Sequence, residues 1–266
     1  MTQDSYFGSL QKALSHERFA AYRRPGCGDV EALANYLWNT ALCEALYPAV
    51  QGLEVALRNT LFDAGEAAFA DRAAREAPCW LDAYPPVLLP GEAARVEQAK
   101  RGLRSRQRAL EPGRIVAELS FGFWTALFDV RYETSRILWP RLFKHGVFTG
   151  APRRLRTRGT LSPMLNRVRL LRNRAFHHES IWHWRDLAEQ HALTLELLGW
   201  VSPALRGAVE LVDRFGPVHR DGPAAFRACV RALPPFYRVP EVAPIHLPEL
   251  TLAAFEAVAQ PNREIR

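Results

Sequence analysis

The sequence predicts an all-α fold, and three observations support this class. Alanine, leucine, arginine and glutamate recur at spacings of three and four residues, the period of a helix with one buried face. Stretches of alternating valine, isoleucine and threonine, which indicate strands, do not occur. The chain has 266 residues, 48% of them hydrophobic, so it can bury a substantial core. We therefore expect a helical bundle with negligible strand content.

Three helix starts have local support. Asp29 is a suitable cap for the helix that follows it, Pro48 suits a first helical turn, and Ser162 followed by Pro163 combines a cap with a preset first residue. The pattern predicts these helices in order, with boundaries uncertain by about 2–4 residues: 7–23, 29–46, 48–70, 90–110, 112–129, 132–144, 162–178, 184–199 and 203–215.

Residues 118–128 are apolar almost all round, which predicts a central buried helix. We interpret the aromatic residues in this segment as packing residues rather than as a cofactor site. From Pro217 to the end of the chain there are eight prolines, which interrupt any long helix. The sequence therefore predicts a helical domain over residues 1–215 and a proline-rich C-terminal extension over residues 216–266.

Composition also bears on the protein's environment. The four cysteines are far apart and lack a Cys-x-x-Cys spacing, so neither a disulfide framework nor a zinc ribbon is indicated. No apolar run of about 18 residues and no signal-like start occur. We expect a soluble, cytoplasmic protein with no membrane partner.

The positive charge is concentrated in one segment. Residues 151–178 contain eight arginines and no acidic residue, whereas the rest of the chain has 27 basic and 28 acidic residues. A local field of this kind attracts a polyanion, because guanidinium groups bind phosphate oxygens and release counterions. A solvated arginine-rich loop, or a contact for an acidic partner, is the alternative. The arginines are Arg153, Arg154, Arg156, Arg158, Arg167, Arg169, Arg172 and Arg174.

Phosphate-loop, metalloprotease and nucleophile-elbow motifs are absent, which leaves residues 170–183 as the densest cluster of reactive side chains. Asn173 and His177 are four residues apart and share a helix face, whereas Arg172 lies about 140° from His177. A long arginine side chain or a loosened helix end near His178 could close this gap. Alternatively, two copies of the motif could meet across a two-fold axis.

The sequence resembles the Abi-like (abortive infection) family of the HEPN ribonuclease superfamily. Arg172-Asn173-x-x-x-His177 fits the Arg-x4-6-His motif of these enzymes, and residues 172–181 are similar to the Arg-Asn-Arg-x-x-His-His-Glu-Pro-Ile block of Abi-like proteins. Residues 54–61, 119–128 and 199–203 resemble further blocks in the same order, so the resemblance spans roughly residues 10–215. Ser180 stands where the family usually has proline.

The resemblance implies a HEPN-type helical bundle with additional helices. It also implies that the protein forms a homodimer and cleaves RNA without a metal or other cofactor. His177 would be the general base, Arg172 would stabilise the phosphate and Asn173 would complete the motif. The other seven arginines of the segment would bind RNA, with His178, Glu179, Arg58 and Asn59 in support. A toxin or abortive-infection role, with an antitoxin or regulatory protein as partner, follows from the same resemblance.

The chemistry suits these residues independently of the family. RNA carries its own nucleophile, so cleavage needs a base near neutral pH, such as histidine, and a cation on the phosphate. The expected products carry 2′,3′-cyclic phosphate and 5′-hydroxyl ends.

Other readings remain open at this point. His177 could be a helix-terminal histidine, Arg172 an interface arginine, and Arg58 and Asn59 a hydrogen-bonded pair inside the bundle. The protein could be a non-catalytic dimer that binds RNA or a partner protein. A metal site from His177, His178, Glu179 and His183 is disfavoured by the adjacent spacing and the nearby arginines.

Overall fold

The computed structural model describes residues 3–72, 79–135 and 137–232, and these residues contain thirteen α-helices, two 3₁₀ helices and no strand. The all-α prediction is therefore confirmed. The helices are α1 (Gln3–Leu14), α2 (His16–Ala20), α3 (Asp29–Ala68), α4 (Pro90–Ser105), α5 (Pro112–Glu118), α6 (Phe121–Ala126), α7 (Val130–Thr134), α8 (Arg141–Lys144), α9 (Arg158–Phe176), α10 (Leu187–Val201), α11 (Pro203–Glu210), α12 (Phe215–Asp221) and α13 (Ala224–Ala232). The 3₁₀ helices are Ala70–Arg72 and Trp80–Asp82.

The 40-residue helix α3 is the axis of the fold. At 1.5 Å per residue it is about 60 Å long. It packs against helices from both ends of the described chain, including α2, α6, α9, α10 and α13. Its buried residues are spread along its whole length, so most of the later helices are positioned relative to α3.

The prediction that a new helix begins at Pro48 is wrong, because Pro48 lies inside α3. An internal proline removes one backbone hydrogen bond and costs about 3 kcal/mol or more in a helix interior. On both sides of it, however, Leu46, Ala49 and Val50 are almost fully buried. We infer that this continuous packing outweighs the lost hydrogen bond.

Most residues of the segment 118–128 are buried, as predicted, although Glu118 and Ser120 are exposed, and the segment is not one helix. The backbone is extended at Leu119, and the Ser120 hydroxyl accepts a hydrogen bond from the backbone N–H of Phe123, so α5 ends and α6 begins there. Phe121, Phe123 and Trp124 are each at most 1% exposed. The local serine cap thus interrupts the helix, while the aromatic side chains still fill the core.

Several other predicted boundaries move for local reasons. The predicted helix 7–23 is divided by Ser15, which has φ 64° and caps α2 through the backbone N–H of Arg18. Gly28, rather than Asp29, occupies the cap of α3, and Asp29 instead forms an ion pair with Arg23.

The predicted C-terminal extension begins with ordered helices. α12 and α13 pack against α3, and Val230 of α13 joins a buried cluster with Phe7, Phe19 and Leu33. Residues 233–266, the rest of the predicted extension, lie outside the described residues. Within the described ranges, no helix is both long enough and apolar enough to cross a membrane.

Candidate functional site

α9 carries most of the predicted site residues, and its packing decides which of them reach the surface. Its buried face consists of Leu161, Leu165, Val168, Leu171 and Ala175. The helix begins at Arg158 because Thr157 Oγ1 accepts a hydrogen bond from the backbone N–H of Thr160 at 3.1 Å. The predicted start at Ser162 is therefore wrong, and Pro163 lies inside the helix.

A tight hydrogen-bonded turn ends α9 two residues earlier than predicted. His178 has φ 60°, and its backbone N–H donates to the carbonyl of Ala175 at 3.3 Å. The next backbone N–H, of Glu179, donates to the carbonyl of Arg174 at 2.9 Å. This pair of bonds is the Schellman pattern, with histidine at the position that usually holds glycine. An ion pair between Arg174 and Glu179 closes the same turn.

The chain after this turn is anchored to α3 by a buried asparagine. Asn39 Oδ1 accepts hydrogen bonds from the backbone N–H groups of Ile181 and Trp182, at 2.8 and 3.1 Å. Asn39 is only 4% exposed, and its amide nitrogen donates to the Tyr22 hydroxyl at 3.3 Å. Sequence reasoning missed Asn39. Its four-residue spacing from the equally buried Asn35, inside an apolar helix, was the available signal.

His177 is exposed at the end of α9, and among the described residues its ring has no hydrogen-bond partner. It borders a cavity of about 700 Å³, which we call the α9-end cavity. The opposite wall comes from α1 and α2 and includes Lys12, Glu17 and Arg18. The Arg18 guanidinium also donates to the backbone carbonyl of His178, which ties α2 to the end of α9. The imidazole is thus held by its backbone and remains open to a ligand.

Arg172 has different surroundings. Its Nε lies 3.4 Å from Glu54 Oε2 on α3, and its guanidinium carbon lies 5.2 Å from the centre of the Phe176 ring. α9 stays helical through Phe176 and ends in a tight turn, so the helix end is not loosened before His177. Within the described chain, Arg172 contacts Glu54 and Phe176, and no hydrogen bond or ring contact joins it to His177. Asn173, which follows Arg172 in the sequence, is half-buried.

Tertiary contacts neutralise half of the arginine segment. Arg158 pairs with Glu133, and Arg167 pairs with Asp186 and Glu189. Arg172 pairs with Glu54, and Arg174 pairs with Glu179. The side chain of Arg158 is only 15% exposed and also donates to the backbone carbonyl of Phe128, so it has a structural role. Within the described part of the chain, four arginines have no carboxylate partner: Arg153, Arg154, Arg156 and Arg169. The field is therefore weaker than the sequence indicated.

The supporting residues are divided between the surface and the interior. Asn59 is exposed, whereas Arg58 is half-buried, so the two do not form the enclosed pair that the sequence left open. Arg58 Nε is buried and has no hydrogen-bond partner in the described structure. It lies one helical turn from Glu54, the residue that pairs with Arg172. His178 and Glu179 shape the helix end, as described above.

The reactive side chains do not form a metal-binding group. Among residues 3–72, 79–135 and 137–232, no group of three or more His, Cys, Asp or Glu side chains is arranged to hold an ion, and this includes the His177, His178, Glu179 and His183 set. Burial raises the pKa of the Cys43 thiol to about 11, so this thiol is protonated at neutral pH and is a poor nucleophile.

Comparisons with known proteins found no matching family model, no matching curated protein and no matching solved structure. The resemblance to the Abi-like family therefore rests on the sequence blocks alone.

Proposed function

We propose that this protein is a metal-independent endoribonuclease that acts on RNA in the cytoplasm. The observation that carries the proposal is an exposed imidazole, that of His177, fixed at the end of an arginine-rich helix and facing an open cavity. A histidine ring that is exposed and has no hydrogen-bond partner can act as a general base. Arg172 on the same helix can bind a phosphate.

In the proposed reaction, His177 removes the proton from a ribose 2′-hydroxyl. The 2′-oxygen then attacks the adjacent phosphorus atom, and the bond from phosphorus to the 5′-oxygen breaks. The leaving 5′-oxygen takes up a proton from water, and the protonated His177 returns its proton to the solvent. The products end in a 2′,3′-cyclic phosphate and a 5′-hydroxyl. Arg172 stabilises the charge that builds up on the non-bridging oxygens.

Within the described chain Arg172 contacts Glu54 and Phe176 rather than His177, which leads us to propose a composite site. In a two-fold dimer, Arg172 of one protomer could complete the site that contains His177 of the other. The competing contact is Glu54, which holds Arg172 at 3.4 Å with the Arg172 side chain 27% exposed. A phosphate would compete with this carboxylate for the guanidinium.

The test is cleavage of total RNA by the purified protein in the presence of a chelator, with sequencing of the new ends. We expect cyclic-phosphate ends from the wild type and none from His177→Ala. Arg172→Ala should lose activity while keeping the helical circular dichroism spectrum. Unchanged cleavage by His177→Ala would exclude the proposed base.

A non-catalytic role is the second candidate, and one observation favours it. Arg172 is already paired with Glu54 and packs on Phe176, as expected of a structural arginine. The protein would then bind RNA or a partner protein through its unpaired arginines. Binding of RNA without cyclic-phosphate products would support this candidate. A toxin or abortive-infection role, restrained by an antitoxin or regulatory protein, is proposed from the resemblance.

A further inference from the structure

A second pocket of about 700 Å³ lies on the other side of the α9 end, between α3, Phe176 and the segment after α11. We call it the aromatic pocket. Its walls include Tyr47 and Pro48 from α3, Phe176 from α9 and Val212. Its volume lies within the range of about 300–1,000 Å³ that small-ligand sites occupy.

The ring of Tyr47 is the unusual feature of this pocket. A large aromatic side chain is normally buried, yet Tyr47 is 55% exposed. Its ring centre lies 5.7 Å from that of Phe176, with the planes inclined by 43°. More than half of the Tyr47 side chain is thus accessible to a flat ligand that enters the pocket.

Positive charge lies beside these two rings. The Arg172 guanidinium carbon lies 5.2 Å from the centre of the Phe176 ring, so Arg172, Phe176 and Tyr47 follow one another along the surface. At the opposite rim Arg214 pairs with Glu44, and both side chains are about two-thirds exposed. Exposed ion pairs of this kind contribute little, so Arg214 can turn toward a phosphate.

We propose that the aromatic pocket binds an unpaired nucleobase of single-stranded RNA, stacked on Tyr47, while Arg172 holds a neighbouring phosphate. The proposal rests on the proposed function and adds a substrate class to it. Bases inside a duplex are already stacked, so this pocket selects single-stranded RNA. Stacking on an aromatic ring tolerates any base, so we expect little sequence preference at this subsite.

The charge around the pocket favours a nucleotide over an apolar partner. An apolar peptide that covers Tyr47 and Val212 would gain from apolar burial alone. It would leave unused Arg214, which lines the pocket, and Arg172, which packs on Phe176. A nucleotide uses both the aromatic face and the guanidinium groups. The experiment below separates these occupants.

The test measures the affinity of two short, 2′-O-methylated oligonucleotides that the protein cannot cleave. One carries adenine at every position, and the other is abasic but has the same number of phosphates. Tyr47→Ala should weaken binding of the adenine oligomer roughly 5- to 150-fold, which corresponds to about 1–3 kcal/mol per stacked base. Binding of the abasic oligomer should not change, and Tyr47→Phe should behave like the wild type.

Tyr84→Ala is the matched control, because Tyr84 is 77% exposed but does not line this pocket. If Tyr47→Ala weakened the binding of both oligomers equally, or of neither, the nucleobase site would be excluded, whereas RNA binding by the protein would stand. Failure of the wild type to bind either oligomer would overturn the proposed function and this inference together. Light scattering tests whether a second protomer occupies the pocket instead. If Tyr47→Ala converted a dimer to a monomer, a second protomer would cover the pocket and the nucleobase site would be excluded.

Discussion

At the residue scale, close packing leaves no room for a side chain at Gly65. A Cβ atom built at this position would lie 2.1 Å from Cε2 of the buried Trp80, well inside van der Waals contact. The indole is enclosed, so it cannot move aside without disturbing Phe69, which stacks on it at 5.7 Å.

We therefore expect Gly65→Ala to lower the free energy of unfolding by about 1–3 kcal/mol or more, the usual cost of overpacking a core. Urea titration followed by circular dichroism measures this difference. Gly207→Ala is the control, because its Cβ would meet no atom within 4 Å. There we expect stabilisation of about 0.5–1 kcal/mol from helix propensity. Equal effects at the two positions would contradict the packing argument.

At the scale of elements, Asn39 joins α3 to the chain that follows α9. It is the only acceptor that the described contacts give to the backbone N–H groups of Ile181 and Trp182. Because these groups are buried, loss of the acceptor leaves two donors unsatisfied.

We expect Asn39→Ala to cost about 1–3 kcal/mol of stability for each buried donor left unpaired. Hydrogen exchange at the amides of Ile181 and Trp182 should become faster, since the anchored chain can then open locally. Thr40→Ala, at the neighbouring exposed position of α3, should change neither quantity by much. Unaltered exchange at Ile181 in Asn39→Ala would show that the chain is held by other contacts.

Ion pairing divides the arginines of residues 153–174 into two groups that salt should distinguish. Changing Arg153 and Arg154 to alanine should flatten the log-log salt dependence of single-stranded RNA binding by about 0.7 for each lost phosphate contact. Arg158→Ala should leave that slope unchanged and should instead lower thermal stability, because Arg158 is paired with Glu133 at 2.6 Å. If only Arg158→Ala changed the slope, Arg158 would contact phosphate and Arg153 and Arg154 would not.

At the scale of the whole molecule, the proposed composite site requires two protomers. Light scattering should give about twice the chain mass of 30.1 kDa. Mixing Arg172→Ala with His177→Ala should restore cleavage to about a quarter of the wild-type rate, because half of the randomly formed dimers contain one intact site. If both residues act within one chain, no activity will return on mixing.

A buried histidine links α10 to the start of α12 and makes stability depend on pH. Burial lowers the pKa of His191, and the nearby His219 acts in the same direction, whereas Asp213, at 3.0 Å from Nε2, partly opposes the shift. His191 also stacks on Phe215 with ring centres 4.2 Å apart. Protonation of this ring is therefore less favourable in the folded chain than in the unfolded chain.

The unfolded chain binds this proton near pH 6.5 and the folded chain only at lower pH. Between these two values the unfolded state holds more protons, so stability should fall as the pH is lowered through that interval. Urea unfolding above and below pH 6.5 measures the slope, and His191→Gln should reduce it. Identical slopes for the wild type and His191→Gln would assign the acid sensitivity to other groups.

The sequence by itself determined the features that depend on neighbours along the chain. Helical periodicity predicted an all-α fold, and the apolar composition of residues 118–128 predicted a buried segment. The motif residues Arg172 and His177 were likewise visible as a pattern on one helix. The fold class and the buried segment could be predicted, and the motif could be recognised, because side-chain polarity and three- to four-residue spacing are local properties.

Only the tertiary structure decided which distant residues meet. Glu54 neutralises Arg172 from 118 positions away, and Asn39 holds Ile181 across 142 positions. Packing on both sides of Pro48 keeps α3 continuous where local preference favoured a new start. The pairing of Arg172 with Glu54, the anchoring by Asn39 and the neighbouring rings of Tyr47 and Phe176 all depend on long-range contacts, and no local spacing specifies those contacts.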